Sequence, residues 1–119
     1  MMQSGPRRAR SNDLAWQIAA ALNLVVLEHV DREFHLLGIV PSWFAELVPD
    51  LASLNLLQQF PLLEVYLPEA QEYWSGETTY IGPSDIWTDT LANGTELHLH
   101  ARAVRYNERK FLEEVWTRP

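Results

Sequence analysis

Cysteine is absent from this chain. With it go disulfides, thiolate metal sites, cysteine nucleophiles and flavin–thiol photochemistry. No apolar run approaches the roughly 18 residues needed to span a bilayer. The most apolar segment, Ala19 to Val26, is too short and is interrupted by Asn23. The basic start leads into no clean apolar stretch with a small-residue cleavage site, so it does not read as a signal peptide. A cytoplasmic location is the default expectation. Positive charge is scarce as well. Three of the nine Lys and Arg residues (Arg7, Arg8 and Arg10) fall in the first ten positions, and from residue 11 onward six basic residues face sixteen acidic ones, a net of −10. A body of that sign repels phosphate backbones, which argues against nucleic acid as a partner.

What remains is enough for one compact domain: 119 residues, 47% of them hydrophobic, with five Trp, four Tyr and four Phe to fill a core. Residues 1–12 read as a disordered basic tail. Ser11 or Asn12 can cap an amphipathic helix over residues 13–22, where Leu14, Ile18, Ala21 and Leu22 form one stripe with Trp16 beside it. The remainder, 23–119, reads as the domain proper. Leu24 to Val30 is rich in β-branched residues and reads as a strand, Asp31-Arg32 as a turn, and Phe34 to Val40 as the returning strand. Pro41 ends it, and Ser42 caps a short helix from Trp43 to Val48. Residues 50–60 suggest another helical turn. Pro61 to Trp74 follows as a helix with an expected break at Pro68, closed by Gly76.

The last third is strand-rich. Ile86 to Thr90 is one strand, and Asn93-Gly94 signals a two-residue type I′ hairpin. Thr95 to Tyr106 alternates cleanly, and Asn107-Glu108 turns the chain into Lys110 to Trp116. Helix, two strands, short helices and three strands make an α+β plan: a five-stranded antiparallel sheet with helices covering one face.

This order resembles the PAS family over residues 23–117. The resemblance is carried by the paired strands around Leu24–Val40, by Pro41-Ser42-Trp43-Phe44 opening the helical crossover, by Asn93-Gly94 before the long strand, and by Phe60-Pro61-Leu62-Leu63-Glu64 with Trp74, which is similar to bacterial sensor-kinase PAS sequences. The resemblance implies strand order 2-1-5-4-3, a pocket between sheet and helices, and a signal-relay role. It also implies frequent dimerisation through an N-terminal helix, with an output domain or kinase as a possible partner. It does not name a ligand. Haem in this family is typically held by a His on the helix before the third strand, and residues 60–76 contain none; no cofactor is expected.

Counting across the two expected two-residue turns pairs Asp89 with His98, Trp87 with His100 and Asp85 with Arg102, then Arg102 with Glu113 and His100 with Val115. Complementary cross-strand pairs of this kind contribute roughly 0.2–1 kcal/mol each. The opposite face then carries Ile86, Thr88, Thr90, Leu97, Leu99, Ala101, Ala103, Leu112 and Trp116, with Glu114 pointing the same way beside Ala101. The two alanines either leave room for a ligand or accommodate a tryptophan in a filled core. Ligand-pocket candidates are Trp43, Phe44, Leu63, Tyr66, Trp74, Leu99, Ala101 and Glu114. Glu114 either anchors a ligand or reaches water at the sheet end. The outer face keeps Trp87, His100, Val104, Phe111 and Val115, an apolar surface large for a monomer. With Leu14 and Ile18 these form a candidate homodimer interface.

His98 and His100 project from one face, but two more ligands would be needed for a metal. His29 and His35 lie on strands roughly 10 Å away, and read as hairpin surface residues with Glu28 facing His35. No Ser–His–Asp order, phosphate loop, HExxH helix or nucleotide fingerprint is present, so an enzyme is not expected. The alternatives are a small enzyme of the cone-shaped isomerase type and a ligand-free dimerisation domain.

Overall fold

The computed structural model describes residues 14–51 and 55–117. The basic tail and the Ser11 or Asn12 cap lie outside the described residues. The chain forms helix α1 (residues 14–21), strands β1 (Leu24–Val30) and β2 (Glu33–Leu37), helices α2 (Ser42–Leu47), α3 (Leu56–Gln59) and α4 (Leu62–Ser75), and strands β3 (Trp87–Thr90), β4 (Glu96–Tyr106) and β5 (Arg109–Thr117). The five strands make one antiparallel sheet in the order β2-β1-β5-β4-β3. This is the PAS-like α+β architecture that the order of elements implies.

Two hairpins are tight two-residue turns with both central residues at positive φ: Asp31 and Arg32 at 51° and 68°, Asn107 and Glu108 at 50° and 63°. Their backbone twist matches that of the strands they join, and it fixes the expected registers. Glu28 faces His35, Arg102 faces Glu113, and His100 faces Val115.

The β3–β4 connection differs from expectation. Leu91 and Thr95 close a three-residue loop, with Gly94 N donating to Leu91 O at 2.9 Å and only Gly94 of the Asn-Gly pair at positive φ (89°). The extra residue shifts β3 by one position and exchanges its faces. His98 therefore meets Thr88 rather than Asp89, and Trp87 meets Leu99 rather than His100. Trp87 and Asp89 share the inner face with Leu97 and Leu99, while Ile86, Thr88 and Thr90 are exposed. Trp87 thus leaves the outer-face set, and its ring lies 5.9 Å from that of Phe60.

The expected break at Pro68 does not occur. Pro68 sits inside a continuous α4; it removes one intrahelical bond, but Leu63, Tyr66, Ala70 and Trp74 are buried along one stripe while Pro68 is exposed. Packing of that stripe offsets the lost bond. Gly76, at φ 88°, caps the helix as expected. Ser42 is the first helical residue of α2 and not its cap; Pro41 holds that position with no side-chain bond. The strand begun at Glu33 ends at Leu37, because Gly38 turns the chain at φ 71°.

The core lies between the inner sheet face and α2–α4, and includes Leu27, Phe44, Phe60, Leu63, Leu97, Leu99 and Leu112. Each such side chain contributes about 1.5–3 kcal/mol by leaving water. Beyond the short β3, the chain is tied to β4 by hydroxyls. Ser84 N donates to Ala101 O (2.8 Å), and Ala101 N donates to Ser84 Oγ (2.9 Å). The Tyr66 hydroxyl accepts from Ala103 N (3.1 Å) and donates to Gly82 O (2.6 Å). Burial raises the Tyr66 phenol above its ordinary range. Trp74 Nε1 donates to Val104 O at 3.1 Å, so α4 is pinned to β4 at both Tyr66 and Trp74.

Helix α1 meets the domain at Trp16. Gly38 has no Cβ, and one placed there would fall inside the Trp16 ring; the indole therefore rests on bare backbone. Leu14, Ile18 and Leu22, spaced four apart, are 57%, 52% and 63% exposed.

Candidate functional site

The eight expected ligand-pocket residues do come together, but as closed core. Trp43, Phe44, Leu63, Tyr66, Trp74, Leu99, Ala101 and Glu114 are all buried. Ala70 of α4 is fully buried too, and the Tyr66 hydroxyl of the same helix reaches the Ala103 backbone.

An open cleft of about 750 Å³ lies elsewhere, between the β1–β2 hairpin and helices α3 and α4. Its sheet wall carries His29, Phe34 and Leu36; its helix wall carries Leu56, Leu57, Leu67 and Gln71; Arg32 and Glu33 stand at the turn. The aromatic wall follows from strand alternation. Val25, Leu27 and His29 point inward from β1, as Phe34 and Leu36 do from β2. The His29 ring stacks on Trp74 at 5.1 Å and 14°, and Phe34 tilts against His29 at 4.7 Å. Burial pushes the His29 imidazole below its ordinary value, and the Lys110 charge adds to the effect. His29 is thus a half-buried, stacked ring rather than the surface histidine expected from the sequence. His35, on the opposite side of β2, lines the cleft mouth. Glu28 forms a bidentate pair with Arg109 at 2.7 and 2.8 Å, which holds its carboxyl below the usual range.

Glu114 is a second unusual group. It lies mid-strand on β5 between Val25 of β1 and Ala101 of β4, with no accessible surface. Neither carboxyl oxygen has a hydrogen-bond partner among the described residues. Burial holds its carboxyl well above the usual carboxylate range, and the nearby Asp89 charge pushes the same way. The expected inward orientation is found; access to water is not.

On the outer face, His100, Val104, Phe111 and Val115 are half-buried. Burial lowers the His100 imidazole, and Arg102 adds to this. Thr88 Oγ1 lies 3.3 Å from His98 Nδ1. Among the described residues no three His, Asp or Glu side chains converge as a metal site, and no helix is long and apolar enough to cross a membrane.

The chain is thus an α+β domain with a five-stranded antiparallel sheet, an open cleft at the sheet edge and a sealed acid at its centre. A scan of family models gives no match to the chain, and no curated protein matches it in sequence.

Proposed function

We propose that this chain is a PAS-type sensory or relay module of a signal-transduction protein, non-catalytic, taking a small flat ligand in the β1–β2/α3–α4 cleft. The observation that carries the reading is the cleft itself. It has the volume of a small-molecule site, a wall of His29 and Phe34 for an aromatic ring, and the polar groups Arg32, Asn55 and Gln71 to orient one. The exposed α1 stripe of Leu14, Ile18 and Leu22 supports a second copy as partner.

Native mass spectrometry of the full chain, purified without denaturation, tests the reading. The expected result is a dimer carrying a small-molecule adduct that Leu67→Trp, which fills the cleft, removes. An adduct-free wild type, or an adduct unaffected by Leu67→Trp, overturns the ligand assignment.

A further inference from the structure

The two margins of the sheet are not equally covered. In a two-residue hairpin the closing pair exchanges both of its backbone bonds, and in β1–β2 that pair is Val30 and Glu33. Glu33, His35 and Leu37 therefore direct their amides and carbonyls at β1, while those of Phe34 and Leu36 point away from the sheet. The same parity shows on the far side of β1, where Trp116 N donates to Asn23 O at 3.3 Å, so odd-numbered residues of that strand bond to β5 and even-numbered ones to β2. Strand β2 is the last in the sheet, and among the described residues no loop or side chain takes up the outward groups of Phe34 and Leu36. Nor does β2, with the sequence EFHLL, carry the lysine or proline that commonly deters strand addition.

The 750 Å³ cleft runs along this margin. Its lining includes Glu33, Phe34, His35 and Leu36, four consecutive residues whose side chains alternate between the two sheet faces, and only His29 from β1. A cleft lying on one face would meet every second residue. One that meets all four lies against the free side of the strand, where the backbone is presented. Opposite stand Leu56 and Leu57 of α3 and Leu67 of α4, with the amides of Asn55 and Gln71 among them.

A strand margin on one side and helices on the other leave room for one extended chain, not for a second sheet with its own helices. Added antiparallel, as every pairing in this sheet is, such a chain runs from Leu37 toward the β1–β2 turn, and its carboxyl end arrives at Arg32. Arg32 is the only arginine or lysine of the lining, is exposed, and makes no ion pair among the described residues. A carboxylate set on its guanidinium gains a charge-assisted bond, which Glu33 beside it opposes only in part. On the other side of the cleft, Asn55 Oδ1 accepts from Gln58 N at 3.3 Å, which leaves the Asn55 amide protons for the outward carbonyls of the added chain.

We propose that the free margin of β2 and its cleft form a strand-acceptor site for the carboxyl-terminal segment of another polypeptide. The segment pairs with Phe34 and Leu36 as a sixth strand, lays alternate apolar side chains against the leucines of α3 and α4, and sets its terminal carboxylate on Arg32. Backbone bonds supply the affinity, and the alternate side chains with the carboxylate supply the selectivity. The strand site shares the cleft with the small-ligand assignment but rests on the backbone of β2 rather than on the aromatic wall, so either can fail alone.

Selection of the full chain against a displayed library of random heptapeptides with free carboxyl ends tests the site. Sequences apolar at every second position are expected to enrich, and absence of enrichment overturns the proposal. The best peptide, labelled at its amino end and titrated by fluorescence polarisation, should bind about tenfold more weakly once its carboxylate is amidated, and Arg32→Gln should erase that difference. Leu36→Pro removes an outward amide without touching a bond to β1, and should prevent binding. Should the proline disturb folding, N-methylation of the peptide at the residues that donate to β2 should have the same effect, with methylation of the residue between them harmless. Binding indifferent to both backbone changes overturns the strand assignment, and a dimer of the chain that Leu36→Pro dissociates overturns it in favour of a second copy. The adduct seen by native mass spectrometry should survive Leu36→Pro, which separates failure of the strand site from failure of the ligand assignment.

Discussion

His29 illustrates how one side chain changes meaning when its neighbours are known. Next to Glu28 and close to a turn it reads as solvated, yet the alternation Val25, Leu27, His29 already places it on the inner side of β1. The missing information is Trp74, which comes from a helix 45 positions away in the chain and stacks on the ring. Because burial lowers the His29 value in the folded state, its contribution to stability is complete above the unfolded value of about 6.5 and is lost as pH falls through the lowered folded value. His29→Phe keeps the stack and removes the proton. Its urea midpoint should therefore drop less than that of the wild type between pH 7.5 and 5. Glu114 was legible from the sequence as inward-facing, since two-residue pairing at Asn107-Glu108 sets its side. That it has no route to water was not, because the covering layer is assembled from separate short helices.

Turn chemistry decided which elements could be read in advance. At Asp31-Arg32 and Asn107-Glu108 the loop length was evident, and the registers of β1–β2 and β4–β5 follow. Asn93-Gly94 satisfies two different turns: a type I′ pair, or a three-residue loop in which only the glycine needs positive φ. Here Asn93 Oδ1 accepts from Thr95 N at 2.9 Å, which favours the longer loop and turns β3 over. Neither central residue of the β4–β5 turn is glycine, and a left-handed conformation costs an ordinary residue about 1–2 kcal/mol. Glu108→Gly should raise stability by about 1 kcal/mol in denaturant titration without altering the sheet. Pro68 offers a similar test in α4. Pro68→Ala restores the donor to the helix interior and should stabilise the domain by about 1–3 kcal/mol, visible as a higher melting temperature by circular dichroism. A lower melting temperature would mean that the proline's constraint on the unfolded chain outweighs the helical bond.

At the scale of the molecule, α1 meets the domain through Trp16 on Gly38 and turns Leu14, Ile18 and Leu22 outward. If a second copy covers that stripe, Ile18→Glu should convert dimer to monomer in sedimentation velocity while leaving the circular dichroism spectrum unchanged. The overall sheet order could be anticipated from the succession of elements, whereas the cleft could not, since its walls come from α3, α4 and a hairpin that are distant in sequence. One detail bears on how such a sheet stays discrete. The long β4 strand outruns its four-residue neighbour β3, and an exposed strand margin of that kind is a template for indiscriminate strand addition. The Ser84 and Tyr66 hydroxyls occupy the Ala101 and Ala103 amides along it, so the contact that anchors α4 and the one that ties down the segment before β3 both withhold those amides from fibril-like stacking.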